Sequence, residues 1–225
     1  MQTELFSILV VFVFLVSLIF LANKSLKAYQ EGEKPKGIAL YAMMYVEAIL
    51  SITEPVMGKK RGRIMAGYIG SVFFYILVSN WSGLLGFSAP TSNYSVTLAL
   101  ALITWVAVQA VQIYENGFGG YLKGFLDPFP FFVIPNIFGT IAPLISLSLR
   151  LFGNVLSGTI IMTLLYSFTG WLSGFIPVVG QFNFVGVFVA PWIHLYFDLF
   201  SGFLQAFIFI SLTTIFIATE LEEEK

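Results

Sequence analysis

Arg150 is the residue whose chemistry most constrains what this chain can do. Between Asp127 and Asp198 no other Lys, Arg, Asp or Glu occurs, and the surrounding sequence is almost entirely apolar or small. A guanidinium stays protonated at any reachable pH. At the centre of a membrane helix it costs about 2.5–3.5 kcal/mol on insertion scales. Arg150 must therefore face a partner charge, water or a moving ion.

Two stripes of polar residues offer such partners. The first has the spacing i, i+4, i+8, i+11 of one helical face and consists of Ser146, Arg150, Asn154 and Ser157. The second has the spacing i, i+4, i+7, i+11 and consists of His194, Asp198, Ser201 and Gln205. If the two segments pack as antiparallel neighbours, the stripes face each other across a path lined by water and titratable groups. Thr159 lies about half a turn away from Arg150.

The same residues also admit structural roles. Arg150 and Asp198 can form a buried salt bridge between two helices. His194, near the start of its helix, can be an interfacial anchor, and Asn80, at the end of an apolar segment, can be a helix cap. These alternatives stay open at the level of the residues alone.

The composition places these stripes in a membrane protein. The chain of 225 residues is 58% hydrophobic and 10% charged, whereas soluble domains carry about 25% charged residues. The absence of cysteine excludes disulfides and thiolate metal sites. No phosphate-binding glycine loop, zinc-ligand spacing or catalytic triad is present, so we expect no cofactor and no metal. Topology accounts for the basic residues, so nothing supports nucleic-acid binding.

The apolar segments predict an all-α integral membrane protein with a single membrane domain. The expected transmembrane helices, five in number, are 5–22, 64–87, 96–114, 131–169 and 186–217. Segment 37–58 carries Glu47, Ser51 and Glu54 on one face, which favours an amphipathic helix at the surface. The last two helices would measure roughly 58 and 48 Å, against a hydrocarbon core of about 30 Å. We therefore expect them to be steeply tilted or bent.

The basic residues predict the orientation. Apart from Arg150, the Lys and Arg residues fall in 23–36, in the predicted loop GKKRGR (58–63), at Lys123 and at Lys225. With five spans and the N terminus outside, all of these lie on the cytoplasmic side, where positive charge is enriched. The C terminus is then cytoplasmic as well.

Two stretches resemble one known family. LSLRLFGNVLSG (147–158) and LQAFIFISLT (204–213) are similar to the signature stretches of subunit a of F-type ATP synthases. NWSGLLG (80–86) and PTSNYSVTLALAL (90–102) resemble that family too. The similarity runs in order across essentially the whole chain.

The resemblance implies a non-catalytic stator subunit in the membrane sector of a proton-transporting two-sector ATPase. Its expected partners are a ring of c subunits, the b subunits of the peripheral stalk, the F1 sector and membrane lipid, most simply in a bacterial plasma membrane. Two offset half-channels would load and unload the ring carboxylates with H⁺, or with Na⁺. By resemblance Arg150 is the essential arginine, Asn154 the asparagine after it, Gln205 the glutamine that faces it, and Asn80 a polar residue near the outer half-channel.

The chain departs from the family pattern at three places. Thr159 occupies a position where the family commonly has a Glu, and Asp198 a position where it commonly has a His. The carboxylate of the outer half-channel is therefore expected on the helix that carries Asp198 and not on the helix that carries Thr159. The expected ion pathway consists of Asn80, Asn154, Ser157, Thr159, His194, Asp198, Ser201 and Gln205. The acids that many members carry ahead of the arginine are missing, and Asn136 occupies that region.

Two other function classes stay open. A secondary transporter with an intramembrane Arg–Asp switch would be favoured by inverted repeats, and the sequence has no evident internal repeat. A third possibility is a purely structural helical bundle of a respiratory complex. Such a bundle would have no ATPase partners, and its mutation would cause no transport defect.

Overall fold

The computed structural model describes residues 2–29, 35–175 and 182–221. Within these ranges all regular structure is helical, which confirms the predicted all-α class. The α-helices are α1 (Gln2–Lys27), α2 (Ile38–Met57), α3 (Lys59–Trp81), α4 (Tyr94–Gly124), α5 (Val133–Ser173), α6 (Phe184–His194) and α7 (Ser201–Thr219). Short 3₁₀ turns occupy Ser82–Leu85, Pro90–Ser92 and Pro130–Phe132, and a π-helix joins α6 to α7 at Leu195–Phe200.

Six helical segments of the described chain are long and apolar enough to cross a membrane, as a multi-pass membrane protein requires. They are Leu5–Lys27, Ile38–Met57, Lys59–Leu85, Tyr94–Gly124, Pro130–Ser173 and Phe184–Thr219. Length and composition thus admit α2 as a span, and the count of five spans stays a prediction. Lys34 and Lys225, which entered the orientation argument, lie outside the described residues.

The basic run predicted as a loop is part of a helix. Gly58 has φ +80° and reverses the chain in one residue, so α3 begins directly at Lys59. This conformation is accessible to glycine at little cost. Gly62 then packs against α2, where an added Cβ would lie 2.9 Å from the Cα of Glu54. The four basic residues therefore form the first turns of α3, and Arg63 donates to the Glu54 carboxylate at 2.8 Å.

The fourth helix also extends past its predicted end at residue 114. It bends at Gly117, where φ is +69°, and continues to Gly124. Glu115, just past the predicted end of this helix, accepts from Arg61 of α3 at 3.0 Å. This ion pair brings the basic start of α3 and the C-terminal half of α4 to the same end of the molecule.

Helices α5 and α6 form the hairpin that holds most of the predicted site. α5 has 41 residues, or about 62 Å at 1.5 Å per residue. Asn183 caps the start of α6 by accepting from the Gly186 amide, and its own amide donates to Tyr166 and Thr169 of α5. The cap thus fixes the register of the α5–α6 hairpin.

The core lies where α5 crosses α3, α4 and α7. Its buried members are aliphatic and aromatic: Ile76, Leu77, Ala101, Leu147, Leu151, Ala206 and Phe209. Leu147 and Leu151 flank Arg150 in the sequence, while Ala206 follows Gln205. The packing of α5 on α7 therefore occurs at the level of the predicted arginine and glutamine.

Candidate functional site

Arg150 is partly exposed and lies beside a face of α5 that the other described residues leave open. The large apolar side chains around it are about half exposed: Leu149 51%, Leu156 43% and Ile160 50%. One end of the guanidinium reaches Ser146, whose Oγ lies 3.3 Å from Nη2. Its Nη1 is buried and has no hydrogen-bond partner in the described chain. The arginine is therefore only partly exposed, and one of its donor nitrogens is unsatisfied within the described chain.

The alternative of an internal Arg150–Asp198 salt bridge is not realised. Among the described residues, the ion pairs are Arg61–Glu115, Arg63–Glu54 and His194–Asp198. Asp198 is thus paired with a histidine of its own helix, and Arg150 has no carboxylate partner in the part of the chain that the structure describes.

Asp198 is the end of a hydrogen-bonded chain of three titratable groups. The Tyr166 hydroxyl lies 2.8 Å from Nε2 of His194, and Nδ1 of His194 lies 2.5 Å from Oδ2 of Asp198. Tyr166 belongs to α5 and the other two to the α6–α7 segment. An imidazole between a phenol and a carboxylate can accept a proton at one nitrogen and release one from the other.

These three groups line a cavity of about 410 Å³, the histidine cavity. Its polar lining comes from α3, the loop after it, α5 and the α6–α7 segment: Asn80, Ser88, Ser92, Asn154, Thr159, Thr163, Tyr166, His194 and Asp198. Five of the predicted pathway residues (Asn80, Asn154, Thr159, His194 and Asp198) therefore meet in one space. Thr159 of α5 lies in the same cavity as Asp198.

Two of the predicted residues also join helices. Asn80 is 7% exposed, donates to the Gly202 carbonyl at 3.1 Å and accepts from Thr91 at 2.7 Å. Its buried side chain thus connects α3 to α7 and to the loop, and it does not act as a helix cap. Asn154 accepts from Ser201 at 3.0 Å and so connects α5 to α7. Ser157 is exposed and donates to the carbonyl of Asn154.

The second stripe does not form the single α-helical face that its spacing predicts. A π-helix at Leu195–Phe200 interrupts it, with i→i+5 hydrogen bonds that change the register between His194 and Gln205. His194 and Asp198 therefore face the histidine cavity, while Gln205 is 6% exposed in the core with its Nε2 unpaired among the described residues. Trp81 donates to the Leu199 carbonyl within the π-helix at 3.1 Å, which satisfies a backbone group there.

A second cavity of about 400 Å³, the glutamate cavity, lies at the other end of α5. Its polar lining comes from α4, the start of α5 and the end of α7: Thr104, Trp105, Gln109, Gln112, Tyr121, Asn136, Thr140, Thr219 and Glu220. Along α5 it reaches Leu147, whereas the histidine cavity begins at Asn154. Arg150 lies in the short packed interval between the two cavities.

Sequence reasoning missed Tyr166, Thr163 and the whole glutamate cavity. Thr159, Thr163 and Tyr166 follow the spacing i, i+4, i+7, which is the signal that could have identified the α5 wall of the histidine cavity. Among the described residues, no group of three or more His, Asp or Glu side chains is placed to hold a metal ion.

Gly202 permits the close approach of α7 to α3 behind the histidine cavity. A Cβ at this position would lie 3.1 Å from Cβ of Asn80 and 3.4 Å from Cδ1 of Trp81. We expect Gly202→Val to destabilise the protein by about 1–3 kcal/mol, as overpacking does, and to lower its Tm in detergent.

The matched control is Gly67→Val on the exposed face of α3, where an added Cβ would meet nothing within 4 Å. Its Tm should stay near the wild-type value, because exposed substitutions change stability by about 0.5 kcal/mol or less. Equal Tm values for the two variants would show that α3 and α7 are not tightly apposed.

The chain matches known proteins along nearly its whole length. Residues 5–218 match the protein family described as ATP synthase A chain. "ATP synthase subunit a" of Mycoplasmoides gallisepticum is 34% identical over 201 residues, covering 83% of this chain and 67% of that protein.

Two further relatives give the same result. "ATP synthase subunit a" of Syntrophobacter fumaroxidans is 32% identical over 95% of this chain and 84% of its own length. "ATP synthase subunit a, sodium ion specific" of Propionigenium modestum is 31% identical over 92% of this chain and 70% of its own. The RLFGN and QAFIF stretches thus predicted the family correctly: the chain belongs to the ATP synthase A chain family and is a multi-pass membrane component of the Fo sector.

Proposed function

We propose that this chain is the ion-translocating stator subunit of Fo, with the histidine and glutamate cavities as its two half-channels. The observation that carries the proposal is the position of Arg150. It lies between two polar cavities, beside an open apolar face, with no carboxylate partner among the described residues. A fixed cation in such an interval hinders a proton from passing directly from one cavity to the other.

The expected partner of Arg150 is a carboxylate on each c subunit of the neighbouring ring. Such a group crosses lipid only when an ion neutralises it, because an unpaired charge in hydrocarbon is costly. At 4 Å and an effective dielectric constant of 20, Arg150 attracts an empty carboxylate by about 4 kcal/mol. Moving one charge through 100 mV supplies about 2.3 kcal/mol. The two energies are comparable, so the pair can form and break during rotation.

The histidine cavity is proposed as the outer half-channel. Tyr166, His194 and Asp198 form a continuous hydrogen-bonded chain there, which suits the transfer of protons. We therefore propose H⁺ as the ion. Sodium ions, which the name of the Propionigenium modestum relative specifies, are the alternative. ATP synthesis in vesicles with and without Na⁺ distinguishes the two.

The charge distribution supports this assignment of sides. The basic start of α3 and the C-terminal half of α4 meet through Arg61 and Glu115 at the end of the molecule that holds the glutamate cavity. Phe6 of α1 contacts Phe87 at the opposite end, so Lys24 and Lys27 lie away from the histidine cavity. Positive charge marks the cytoplasmic side. The glutamate cavity then opens to the cytoplasm, with the N terminus outside and the C terminus inside.

In this role the chain does not catalyse ATP chemistry by itself. We propose that it assembles with the c ring, the b subunits of the peripheral stalk and, through the complex, F1. The proposed location is a bacterial plasma membrane. Ion flow through the two cavities would turn the ring and couple transport to ATP synthesis.

Side-specific labelling tests the two half-channels. The chain has no cysteine, so a single introduced thiol marks one known position. We expect Thr163→Cys in the histidine cavity to react with a membrane-impermeant maleimide only from outside. Gln112→Cys in the glutamate cavity should react only from the cytoplasmic side, and the fully buried Leu151→Cys from neither. Labelling of both cavity positions from the same side would contradict the proposal.

Co-purification separates this function from the two alternative classes. The proposal predicts that the tagged chain isolates with a c ring and soluble ATPase subunits. A secondary transporter would transport ions when reconstituted alone. A structural bundle would show neither ATPase partners nor a transport defect after Arg150 is replaced.

A further inference from the structure

The glutamate cavity contains one carboxylate whose position suits ion release. Glu220 follows the last residue of α7 and lines the cavity together with residues of α4 and α5. The other titratable side chain of the described lining is Tyr121, whose hydroxyl donates to Gln109 at 3.0 Å. Glu220 is thus the carboxylate of a polar space large enough for a chain of water molecules.

The Glu220 carboxylate has no structural partner among the described residues. It is partly buried, and its carboxylate forms no ion pair or hydrogen bond with a described residue. Acidic groups are unfavourable at a helix C terminus, which carries about −0.5 of an elementary charge. Burial raises the pKa of the Glu220 carboxyl above its ordinary value, which makes proton uptake easier at neutral pH.

The cavity leads from Glu220 toward the arginine. On α5 its lining includes Asn136, Gly139, Pro143 and Leu147, which follow helical spacings of three or four residues. The same spacing continues to Arg150, three residues further on. A carboxylate held at Arg150 would therefore be close to the end of this cavity.

Asn136, on the α5 side of the cavity, has a structural role. Its amide donates to the carbonyls of Phe125 and Asp127 at 3.0 and 2.9 Å. It thereby holds the turn between α4 and α5. An ionised acidic side chain at this position would face these carbonyl oxygens without a proton to donate, so the position favours an amide over a carboxylate.

We propose that Glu220 is the proton relay of the glutamate cavity, exchanging protons between the ring carboxylates and the cytoplasm. This inference rests on the proposed function. During synthesis, a protonated ring carboxylate loses its proton through cavity water to ionised Glu220, and neutral Glu220 then releases that proton to cytoplasmic water. During ATP hydrolysis the same transfers run in reverse.

The test is Glu220→Gln in the assembled complex, reconstituted in vesicles whose inner and outer pH are set independently. We expect the rate of ATP-driven proton transport to fall by about tenfold. This factor is smaller than the rate factor that positioned acid–base groups contribute. Its dependence on cytoplasmic pH should flatten, while its dependence on outer pH is kept. Glu220→Asp should restore most of the rate, and the exposed Glu47→Gln should leave both profiles unchanged.

The outcomes separate this inference from the function on which it rests. One outcome would overturn the relay alone: Glu220→Gln keeps the wild-type rate and the wild-type dependence on cytoplasmic pH, while Arg150→Ala still loses transport. Normal transport in both variants would overturn the proposed function as well. The amount of chain that purifies with the complex shows that each variant assembles.

Discussion

Replacing Arg150 by alanine is expected to abolish ATP-driven proton pumping while the complex still assembles. Removal of the guanidinium withdraws about 4 kcal/mol of attraction for the ring carboxylate, or roughly three pKa units. The ring carboxylates would then stay neutral as they pass the interval between the cavities. Pumping is measured as acidification of vesicles, with ATP hydrolysis recorded in parallel.

Passive proton flow provides a second readout of the same variant. Because the cation that separates the cavities is gone, proton leak through membranes with Arg150→Ala should exceed the wild-type leak. Arg150→Lys should also lose most of the pumping, since the pKa of lysine falls when it is desolvated. Ser146→Ala removes the hydrogen-bond acceptor 3.3 Å from Nη2 and keeps the charge, so it should retain most activity. Wild-type pumping by Arg150→Ala would refute the mechanism.

The second large effect is expected for Asp198→Asn. Asparagine preserves the size of the side chain and can still hydrogen bond to His194, but it cannot hold a transferred proton. The transport rate should fall by at least about tenfold, because a positioned acid–base group contributes a factor of about 10²–10⁴ to the rate of proton transfer. Initial rates of proton transport in vesicles, at fixed outer pH, measure the effect.

Glu47→Gln is the matched control for Asp198→Asn, because Glu47 is an exposed carboxylate of α2 outside both cavities. Its transport rate should equal that of the wild type. If Asp198→Asn also transports at the wild-type rate, then the relay of the outer half-channel is not the Tyr166–His194–Asp198 chain.

The sequence predicted those features that depend on local pattern. Apolar runs of sufficient length identified the membrane helices, and the isolation of Arg150 identified the centre of the site. Spacing on α5 placed Asn154 near the arginine, since that helix is regular there. The shared cavity of Thr159 and Asp198 was expected from the resemblance, by comparison of two positions with the family pattern.

Features that depend on tertiary contacts were not predictable in this way. The π-helix at Leu195–Phe200 has no spacing signal in the sequence, and in the fold Trp81 of α3 donates to the Leu199 carbonyl within it. The basic run became helical because Gly58 reverses the chain in one residue. Glu220 follows an apolar helix and has no spacing signal in the sequence, and only the fold places it in a cavity.

The most direct test of the central claim is the distance between the Arg150 guanidinium and the nearest carboxylate in a cryo-electron microscopy structure of the assembled complex. The proposed function predicts that a c-ring carboxylate approaches to hydrogen-bonding or water-bridged distance, with polar cavities open on opposite sides of the pair. A guanidinium bound to an acid of its own chain, and separated from the ring by packed side chains, would contradict it.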